Sequence, residues 1–176
     1  DINLAYALWS ICPYPNSDFL PLFIYMSFAG QYLTKNRIFG DFIPNFPHED
    51  LKYILVIPAY NEEQIADTLD SLWESQRTEH SIEIIVVVNS SEGTPEYIRE
   101  INRETLRAIE KWQGPHADDF FTVYTLNVTD LPDKDFGAGV ARKIGMDEAI
   151  SRFEELNRDD GYIISLDADR TVEKHY

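Results

Sequence analysis

Four apolar runs between residues 53 and 166 give the clearest structural signal in the chain. Residues 53–57, 82–88, 120–126 and 162–166 are mostly apolar, and each run is five to seven residues long. Runs of this length between polar residues are typical of strands. The nearly continuous apolar character of the first two favours strands that are buried on both faces of a sheet.

Apolar residues at helical spacing fill the three intervals between these runs. They predict helices around residues 65–73 and 98–112, and a third helix that begins near Gly137 and reaches about residue 153. Strand and helix therefore alternate along the chain. This alternation predicts an α/β fold in which a mostly parallel sheet carries helices on both faces.

The first fifty residues follow no such pattern. They are rich in aromatic residues and contain five prolines, so we predict an aromatic-rich, partly helical extension at 1–50, followed by a regular domain at 51–176. The apolar run 19–33 is short for a bilayer span and contains Pro21. These features favour a buried or interfacial helix over a transmembrane one.

Charge and cysteine content restrict the class of ligand and the compartment. The chain has 176 residues, with 31 acidic against 15 basic side chains and a formal charge of -16, which argues against nucleic-acid binding. A small anionic ligand then needs a divalent cation to bridge it to the protein. Cys12 is the only cysteine, so no internal disulfide can form, and no signal peptide is visible. Both observations favour a cytoplasmic location.

Polar clusters follow three of the predicted strands, at residues 58–62, 89–92 and 167–169. In parallel α/β sheets, ligands bind beyond the carboxyl ends of the strands. Asp167 and Asp169 are separated by one small residue, and two such carboxylates can share a divalent cation that relieves their repulsion. Their hard oxygen atoms suit Mg²⁺ or Mn²⁺. The alternative is that they are ordinary loop carboxylates that cap a turn.

The other candidate residues also have a structural and a functional interpretation. Asn61 and Glu62 can cap the following helix, or they can hydrogen-bond a base or ribose beside a stacked Tyr60. Asn89 is by default a turn residue, and otherwise a contact to a base edge. Arg142 is either a solvated surface charge or a contact to a nucleotide diphosphate.

Four sequence blocks together resemble family-2 glycosyltransferases. They are VIPAYNEE (56–63), VVNSSEGT (87–94), GAGVARKIGMDEA (137–149) and LDADRTV (166–172). Each block is modest alone, but the four occur in the order and spacing of that family. The resemblance covers residues from about 53 to 176 and leaves the first fifty unexplained.

The resemblance implies the nucleotide-binding half of a GT-A fold, which is Rossmann-like. It also implies transfer of a sugar, with inversion, from a nucleoside-diphosphate donor to an acceptor hydroxyl, with Mg²⁺ or Mn²⁺ as cofactor. In the family, positions matching Asn89 and Arg142 contact the base and the nucleotide. The position matching Asp167 meets the ribose or the metal. The position matching Asp169 holds the metal on the diphosphate. The nucleoside pocket matches Pro58, Ala59, Tyr60, Asn61 and Glu62.

The chain departs from the family pattern at three positions. Asn89 stands where Asp is usual, which puts the choice of base in doubt. Lys143 stands where Asn is common after the arginine. Arg170 directly follows the acidic motif, where it can pair with a carboxylate and weaken the metal site, or contact a phosphate.

Family members continue beyond the acidic motif into an acceptor-binding half that supplies the catalytic base. Only seven residues follow Asp169, so we assign no catalytic residue and expect the base beyond Tyr176. Loss of a general base lowers rates by roughly a hundred- to ten-thousandfold. We therefore expect this chain to bind the donor but to transfer sugar poorly or not at all.

Two other functions stay open from the sequence. A nucleotidyltransferase is built on a related sheet, but it normally needs a basic, glycine-rich loop where this chain has PAYNEE. A non-catalytic nucleotide-binding module, with the aromatic extension docked on a partner, belongs to a different class. The acceptor is unknown, and since many relatives act on lipid-linked or envelope glycans, the resemblance leaves membrane association of the full-length protein open.

Overall fold

The computed structural model describes residues 27–116 and 118–176. Cys12, Pro21 and the rest of residues 1–26, including the first part of the apolar run 19–33, lie outside the described residues. The described elements occur in the order α1 (Phe28–Asn36), β1 (Leu51–Ala59), α2 (Ile65–Trp73), β2 (Ser81–Ser91), α3 (Glu96–Gln113), β3 (Phe121–Leu131), a 3₁₀ turn (Asp133–Asp135), α4 (Ala138–Glu155) and β4 (Tyr162–Ser165).

The four strands form one parallel sheet in the order β3-β2-β1-β4. This confirms the predicted α/β fold with a parallel sheet, which is consistent with the nucleotide-binding half of a GT-A fold. Each strand and helix predicted after residue 50 is present, and the differences lie in where the strands end. Of the helix predicted in the apolar run 19–33, only residues 27–33 are described; the helix there is α1, none of whose residues is buried.

The strand order explains why helices cover both faces. The chain moves outward from β1 through β2 to β3, and then crosses back to place β4 on the far side of β1. Because crossovers between parallel strands are right-handed, this reversal puts the later helix on the opposite face. Accordingly, α2 and α3 pack on one face of the sheet, and α4 packs on the other.

β1 supplies side chains to both apolar layers. Leu55 and Ile57 pack with α2 and α3, whereas Ile54 and Val56 pack with α4. The absence of polar alternation in this strand is therefore explained, since neither face meets solvent. The layer under α4 is tight at Gly145, where an added Cβ would lie 2.4 Å from Cγ1 of Val56.

The described residues before β1 pack on the outer side of α4. Glu148 of α4 is buried and accepts hydrogen bonds from the guanidinium of Arg37 (2.6 Å) and the backbone N–H of Ile43 (2.9 Å). Asp147 accepts one from the Tyr32 hydroxyl at 3.1 Å. Charged residues on an otherwise buried helix face are thus paired, as burial requires. The division of the chain at residue 50 stays a prediction.

A second buried ion pair explains a charge inside β2. Glu83 interrupts the apolar run of β2, and its carboxylate accepts two hydrogen bonds from the guanidinium of Arg152 on α4. Arg152 also donates to the carbonyl of Asn45 at 3.0 Å and faces the ring of Tyr124. This group joins the sheet, α4 and the segment before β1.

No helix in the described ranges, 27–116 and 118–176, is both long enough and apolar enough to cross a bilayer.

Candidate functional site

β1 and β2 extend further than the sequence predicted. β1 continues through Pro58 to Ala59, and β2 continues through Asn89 to Ser91. Placing Asn89 in a turn was therefore wrong, because it lies inside β2 and is paired with Val128 of β3. The neighbouring strand keeps the chain extended where the local residue types indicate a turn.

Pro58 is accommodated in β1 because its neighbour β4 has already ended. β4 pairs with β1 only from Tyr53 to Val56. Pro58 lies two residues after Val56, so the backbone groups of both residues face the β4 side of β1. The Val56 carbonyl accepts the last hydrogen bond between β1 and the β4 segment, from the N–H of Leu166 at 3.1 Å. A residue without an N–H therefore loses no ladder bond here. Beyond this point β1 and β4 separate.

A cavity of about 340 Å³ lies where β1 and β4 separate. It is lined by the end of β1 and the residues after it, by residues before and at the start of α4, and by the acidic turn after β4 (167–169). The lining residues are Pro58, Tyr60, Glu62, Phe136, Gly137, Ala138, Arg142, Asp167, Ala168 and Asp169. The strand order reverses between β1 and β4, since β2 and β3 lie on one side of β1 and β4 lies on the other. Such a switch point, at the carboxyl ends of the strands, is where open α/β sheets bind ligands.

The acidic turn is held to the protein core through its middle residue. Ala168 is buried in the apolar layer beneath α2, and its carbonyl accepts a hydrogen bond from the Thr68 hydroxyl at 2.6 Å. Asp167 and Asp169, on either side of it, are exposed and line the cavity. A small residue between the two carboxylates thus lets the turn anchor itself while both acids face the cavity.

Each of these two carboxylates is paired with an arginine. Arg142, in the second turn of α4, donates to Asp167 and also, through Nε, to Oγ of Ser165 at 3.1 Å. The Arg170 guanidinium lies 3.5 Å from the Asp169 carboxylate. The side chains of Asp167 and Asp169 keep 53% and 63% of their surface exposed, and ion pairs at such exposure are weak.

Two aromatic rings form one wall of the cavity. Tyr60 and Phe136 meet edge to face, with their centroids 4.9 Å apart. Glu62 lies near this wall, and its carboxylate accepts from the backbone N–H of Gln64 at 2.8 Å. Gln64 precedes α2, and no side chain of the described residues caps the N–H groups of that helix, so the predicted cap by Asn61 or Glu62 is not formed. The wall offers an apolar surface beside the polar acidic turn, which suits a ligand with a flat ring and charged groups.

Hydrogen bonds that involve three asparagines join the ends of β1 and β2 behind this wall. The Asn102 side chain accepts from the N–H of Asn61 at 2.9 Å and donates to the carbonyl of Asn89 at 3.2 Å. Asn89 is buried, and its amide donates to the carbonyl of Gly137 at 3.2 Å. Asn61 adopts a left-handed conformation with φ 55°, which asparagine tolerates well. Asn89 therefore holds the segment that leads into α4.

The amino end of α4 opens on the cavity. Gly137, with φ 133°, turns the chain into the helix, and Gly137 and Ala138 line the cavity. Within the described part of the chain, no side chain caps the first turn of this helix. The first N–H groups of a helix without a capping side chain are free to bind an anion.

The structure brings together six of the nine sequence-predicted site residues: Pro58, Tyr60, Glu62, Arg142, Asp167 and Asp169. Ala59, Asn61 and Asn89 lie outside the lining of the cavity. Sequence reasoning did not single out Phe136, Thr68 and Asn102. They are common residue types, and their contacts join positions far apart in sequence, 100 residues apart for Thr68 and Ala168.

The acidic turn has the donor set that Mg²⁺ or Mn²⁺ accepts. Asp167 and Asp169 provide hard oxygen atoms on the cavity surface, and Mg²⁺ is commonly bound by one or two carboxylates together with substrate phosphates and water. Among residues 27–116 and 118–176, no group of three or more His, Cys, Asp or Glu side chains could hold a metal ion. Asp167 and Asp169 each have an arginine as their partner in this structure.

Comparison with known proteins agrees with this geometry. The sequence model described as glycosyl transferase family 2 matches residues 54–176, which include every residue that lines the cavity. A search of curated proteins found no match. The matched segment contains the whole sheet from the middle of β1 onwards, together with α2, α3 and α4. The chain belongs to glycosyl transferase family 2.

Proposed function

We propose that this glycosyltransferase binds a nucleoside-diphosphate sugar in the cavity between β1 and β4, through a divalent Mg²⁺ or Mn²⁺ ion on Asp167 and Asp169. The sugar is transferred with inversion to an acceptor hydroxyl. The observation that supports this most strongly is the convergence of three unlike groups on one cavity: two carboxylates, an arginine and an aromatic wall.

Charge explains why the donor needs a cation in this chain. With a formal charge of -16, the protein repels a free diphosphate, and the two exposed carboxylates of the acidic turn add to that repulsion locally. A divalent cation, when bound, neutralises charge on the diphosphate and stabilises it as a leaving group. Arg142 and the amino end of α4 supply further positive character on the other side of the cavity.

The remaining residues that line the cavity can contact the nucleoside part of the donor. Tyr60 and Phe136 provide a ring surface against which a base can pack. Glu62 is placed to accept a hydrogen bond from a ribose or base donor. Asn89 supports the cavity indirectly, because its side-chain amide donates to the carbonyl of Gly137 and so fixes the start of α4.

The transfer itself is a single displacement. The acceptor hydroxyl oxygen forms a bond to the anomeric carbon from the face opposite the diphosphate, and the bond from that carbon to the phosphate oxygen breaks. The nucleoside diphosphate leaves with the bonding electron pair, and the hydroxyl proton passes to a base. We assign no residue of this chain to that base, so the function is tested by donor binding.

Isothermal titration calorimetry with uridine diphosphate and guanosine diphosphate, with and without Mn²⁺, tests the proposal. We expect binding of at least one nucleotide with Mn²⁺ present and its loss on addition of a chelator. Asp169→Asn is expected to weaken metal-dependent binding by about tenfold or more, because it removes one of two charged ligands.

Glu63→Gln is the matched control, since Glu63 is an exposed carboxylate close to the cavity in sequence but outside its lining. Binding that is equally strong with and without Mn²⁺ would contradict the metal role. If Asp169→Asn and Glu63→Gln weakened nucleotide binding equally, the cause would be a general loss of surface charge and not the loss of a metal ligand.

A further inference from the structure

We propose that Thr68 is a positioning residue for the acidic turn: its hydroxyl fixes the backbone of Ala168, so that Asp167 and Asp169 can bind one cation together. This inference rests on the proposed function, because it concerns how the same two carboxylates are held. Thr68 lies on α2, outside the cavity and 100 residues before Ala168, the residue that it contacts.

The acidic turn needs a support from outside the sheet. β4 ends at Ser165, and the last β1–β4 hydrogen bond is made by the N–H of Leu166. Asp167 and the residues after it are therefore beyond the ladder that orders β4. Within the turn itself, the N–H of Arg170 donates to the carbonyl of Asp167 at 3.2 Å, which closes the turn but does not orient it relative to the protein.

Thr68 supplies that orientation. Its side chain is 1% exposed, and the hydroxyl donates to the Ala168 carbonyl at 2.6 Å in a buried setting. The Ala168 methyl group is itself buried in the same apolar layer as Leu69 and Leu72. The middle residue of the turn is thus fixed at two points, one polar and one apolar, while the residues on either side remain exposed.

The position of the middle residue decides where both carboxylates point. A rotation of the Ala168 peptide would swing the two neighbouring side chains in different directions and separate their oxygen atoms. Groups that orient metal ligands from behind commonly change metal affinity by about 10–100-fold when they are removed. The buried hydroxyl of Thr68 is one step further back, since it bonds to the backbone between the two carboxylates and to neither of them directly.

A second contact between α2 and the same segment provides a control. Ser71, one turn further along α2, accepts a hydrogen bond from the N–H of Val172 at 3.1 Å. Both side chains tie α2 to the chain after β4, but the bond of Ser71 lies beyond the acidic turn. Removing Ser71 tests whether any loosening of this segment disturbs the metal, or only loosening at Ala168.

The experiment measures Mn²⁺ binding by electron paramagnetic resonance titration, with thermal unfolding of each protein recorded alongside. Thr68→Val keeps the shape of the side chain and removes the hydroxyl. Thr68→Ala is a second hydroxyl-free variant in case the valine is not accommodated. Thr68→Ser keeps the hydroxyl and removes the methyl group. Ser71→Ala is the control on the same helix.

We expect Thr68→Val and Thr68→Ala to weaken Mn²⁺ binding by about tenfold or more. Thr68→Ser and Ser71→Ala are expected to bind Mn²⁺ as the unaltered protein does, with Thr68→Ser less stable because it loses a buried methyl group. This pattern separates metal affinity from stability, which a purely structural role of Thr68 would not do.

Three results would overturn the inference: unchanged Mn²⁺ affinity in Thr68→Val, equal weakening in Thr68→Ser and Thr68→Val, or equal weakening in Ser71→Ala. In each of these cases the unaltered protein binds Mn²⁺, and the proposed function survives. If the unaltered protein does not bind Mn²⁺ with or without a nucleoside diphosphate, the proposed function fails first, and the role of Thr68 fails with it.

Discussion

Arg142 and Asp167 form an ion pair across the mouth of the cavity, joining α4 to the turn after β4. The arginine also donates to the Ser165 hydroxyl at 3.1 Å, so its position is set by β4 as well. Both side chains are partly exposed, at 36% and 53%. An ion pair at this exposure is easily exchanged. Under the proposed function, a bound cation would replace Arg142 as the partner of Asp167, and Arg142 would then be available to the diphosphate.

Arg142→Gln should therefore have opposite effects on the metal and on the nucleotide. Mn²⁺ alone should bind more tightly, by no more than about fivefold, because an exposed ion pair is worth about 1 kcal/mol at most. Binding of a nucleoside diphosphate with Mn²⁺ should weaken by about tenfold, since one charge-assisted hydrogen bond is lost. Calorimetric titrations of each ligand measure both effects.

Lys143→Gln is the control for that experiment. It removes the same charge from the next residue of α4, but the Lys143 ammonium bonds to Asp147 and to the Asn36 carbonyl, away from the cavity. Binding of Mn²⁺ and nucleotide should stay near that of the unaltered protein. If Lys143→Gln reproduces the effects of Arg142→Gln, the exchange of partners by Arg142 is refuted.

Two glycines of α4 should respond to alanine in opposite directions. At Gly145 a Cβ would lie 2.4 Å from Val56 Cγ1 and 3.0 Å from Val87 Cγ2, so Gly145→Ala should destabilise the fold by about 1–3 kcal/mol through overpacking. At Gly139 a Cβ meets nothing within 4 Å, and Gly139→Ala should stabilise by about 0.5–1 kcal/mol through helix propensity. Urea unfolding measures both changes.

If Gly145→Ala were neutral, α4 would not lie as close to β1 and β2 as the structure places it. Gly139→Ala serves as the control for the effect of alanine on helix propensity, because it lies in the same helix without contacting the sheet. A destabilising Gly139→Ala would indicate that the first turn of α4 makes a contact that is absent from the structure.

Glu148→Ala should be among the most destabilising substitutions in the chain. Its carboxylate accepts from Arg37, Phe42 and Ile43. Its removal takes one of two carboxylate partners from the half-buried Arg37 guanidinium, which keeps Asp41, and leaves two backbone N–H groups without this acceptor. Removal of one partner of a buried ion pair typically costs about 3–5 kcal/mol. Denaturant unfolding measures the loss. Glu104→Ala, an exposed position on α3, should change stability by less than about 0.5 kcal/mol.

The Asp41 carboxylate makes the stability of the folded protein depend on pH in the acid range. A hydrogen bond from Arg37, and then one from Ser151, holds the pKa of Asp41 below its ordinary value. A lowered folded-state pKa gives stability that is present above about pH 4 and is lost as the pH falls through the folded value. The melting-temperature difference between the unaltered protein and Asp41→Asn should be largest near neutral pH and should shrink below about pH 4.

Glu110→Gln removes an exposed carboxylate from α3 and provides the comparison for that pH series. Its melting temperature should follow that of the unaltered protein at every pH. A difference between Asp41→Asn and the unaltered protein that stays constant from neutral to acid pH would show that the pKa of Asp41 does not change on folding.

The sequence predicted the regular elements well because hydrophobic periodicity reports burial directly. The middle of β1, from Ile54 to Ile57, is apolar because helices cover both faces, and this pattern is visible without knowing the partners. The strand ends were less well predicted. Pro58 and Asn89 are residue types that indicate a turn locally, but pairing with neighbouring strands keeps them extended.

The candidate site likewise contains residues that the sequence predicted and residues that it did not. Asp167, Asp169 and Arg142 could be named in advance because they follow a predicted strand or lie near the start of a predicted helix, where parallel α/β sheets bind ligands, and because they match the motifs of the family. Phe136 and Asn102 could not be named, because an aromatic residue in a loop and a polar residue on a helix are common. Their roles depend on a ring contact with Tyr60 and on a bridge between the ends of two strands.

By itself the sequence determined the alternation of strands and helices, the acidic character of the chain and the choice of candidate site residues, since each depends on side-chain type and spacing. Tertiary structure alone decided that β4 lies beside β1, and therefore that Asp167 meets Arg142 and Tyr60 at one cavity. Strand order arises from the packing of all layers together. No local pattern carries that information, because the contacts join residues that are far apart in the chain.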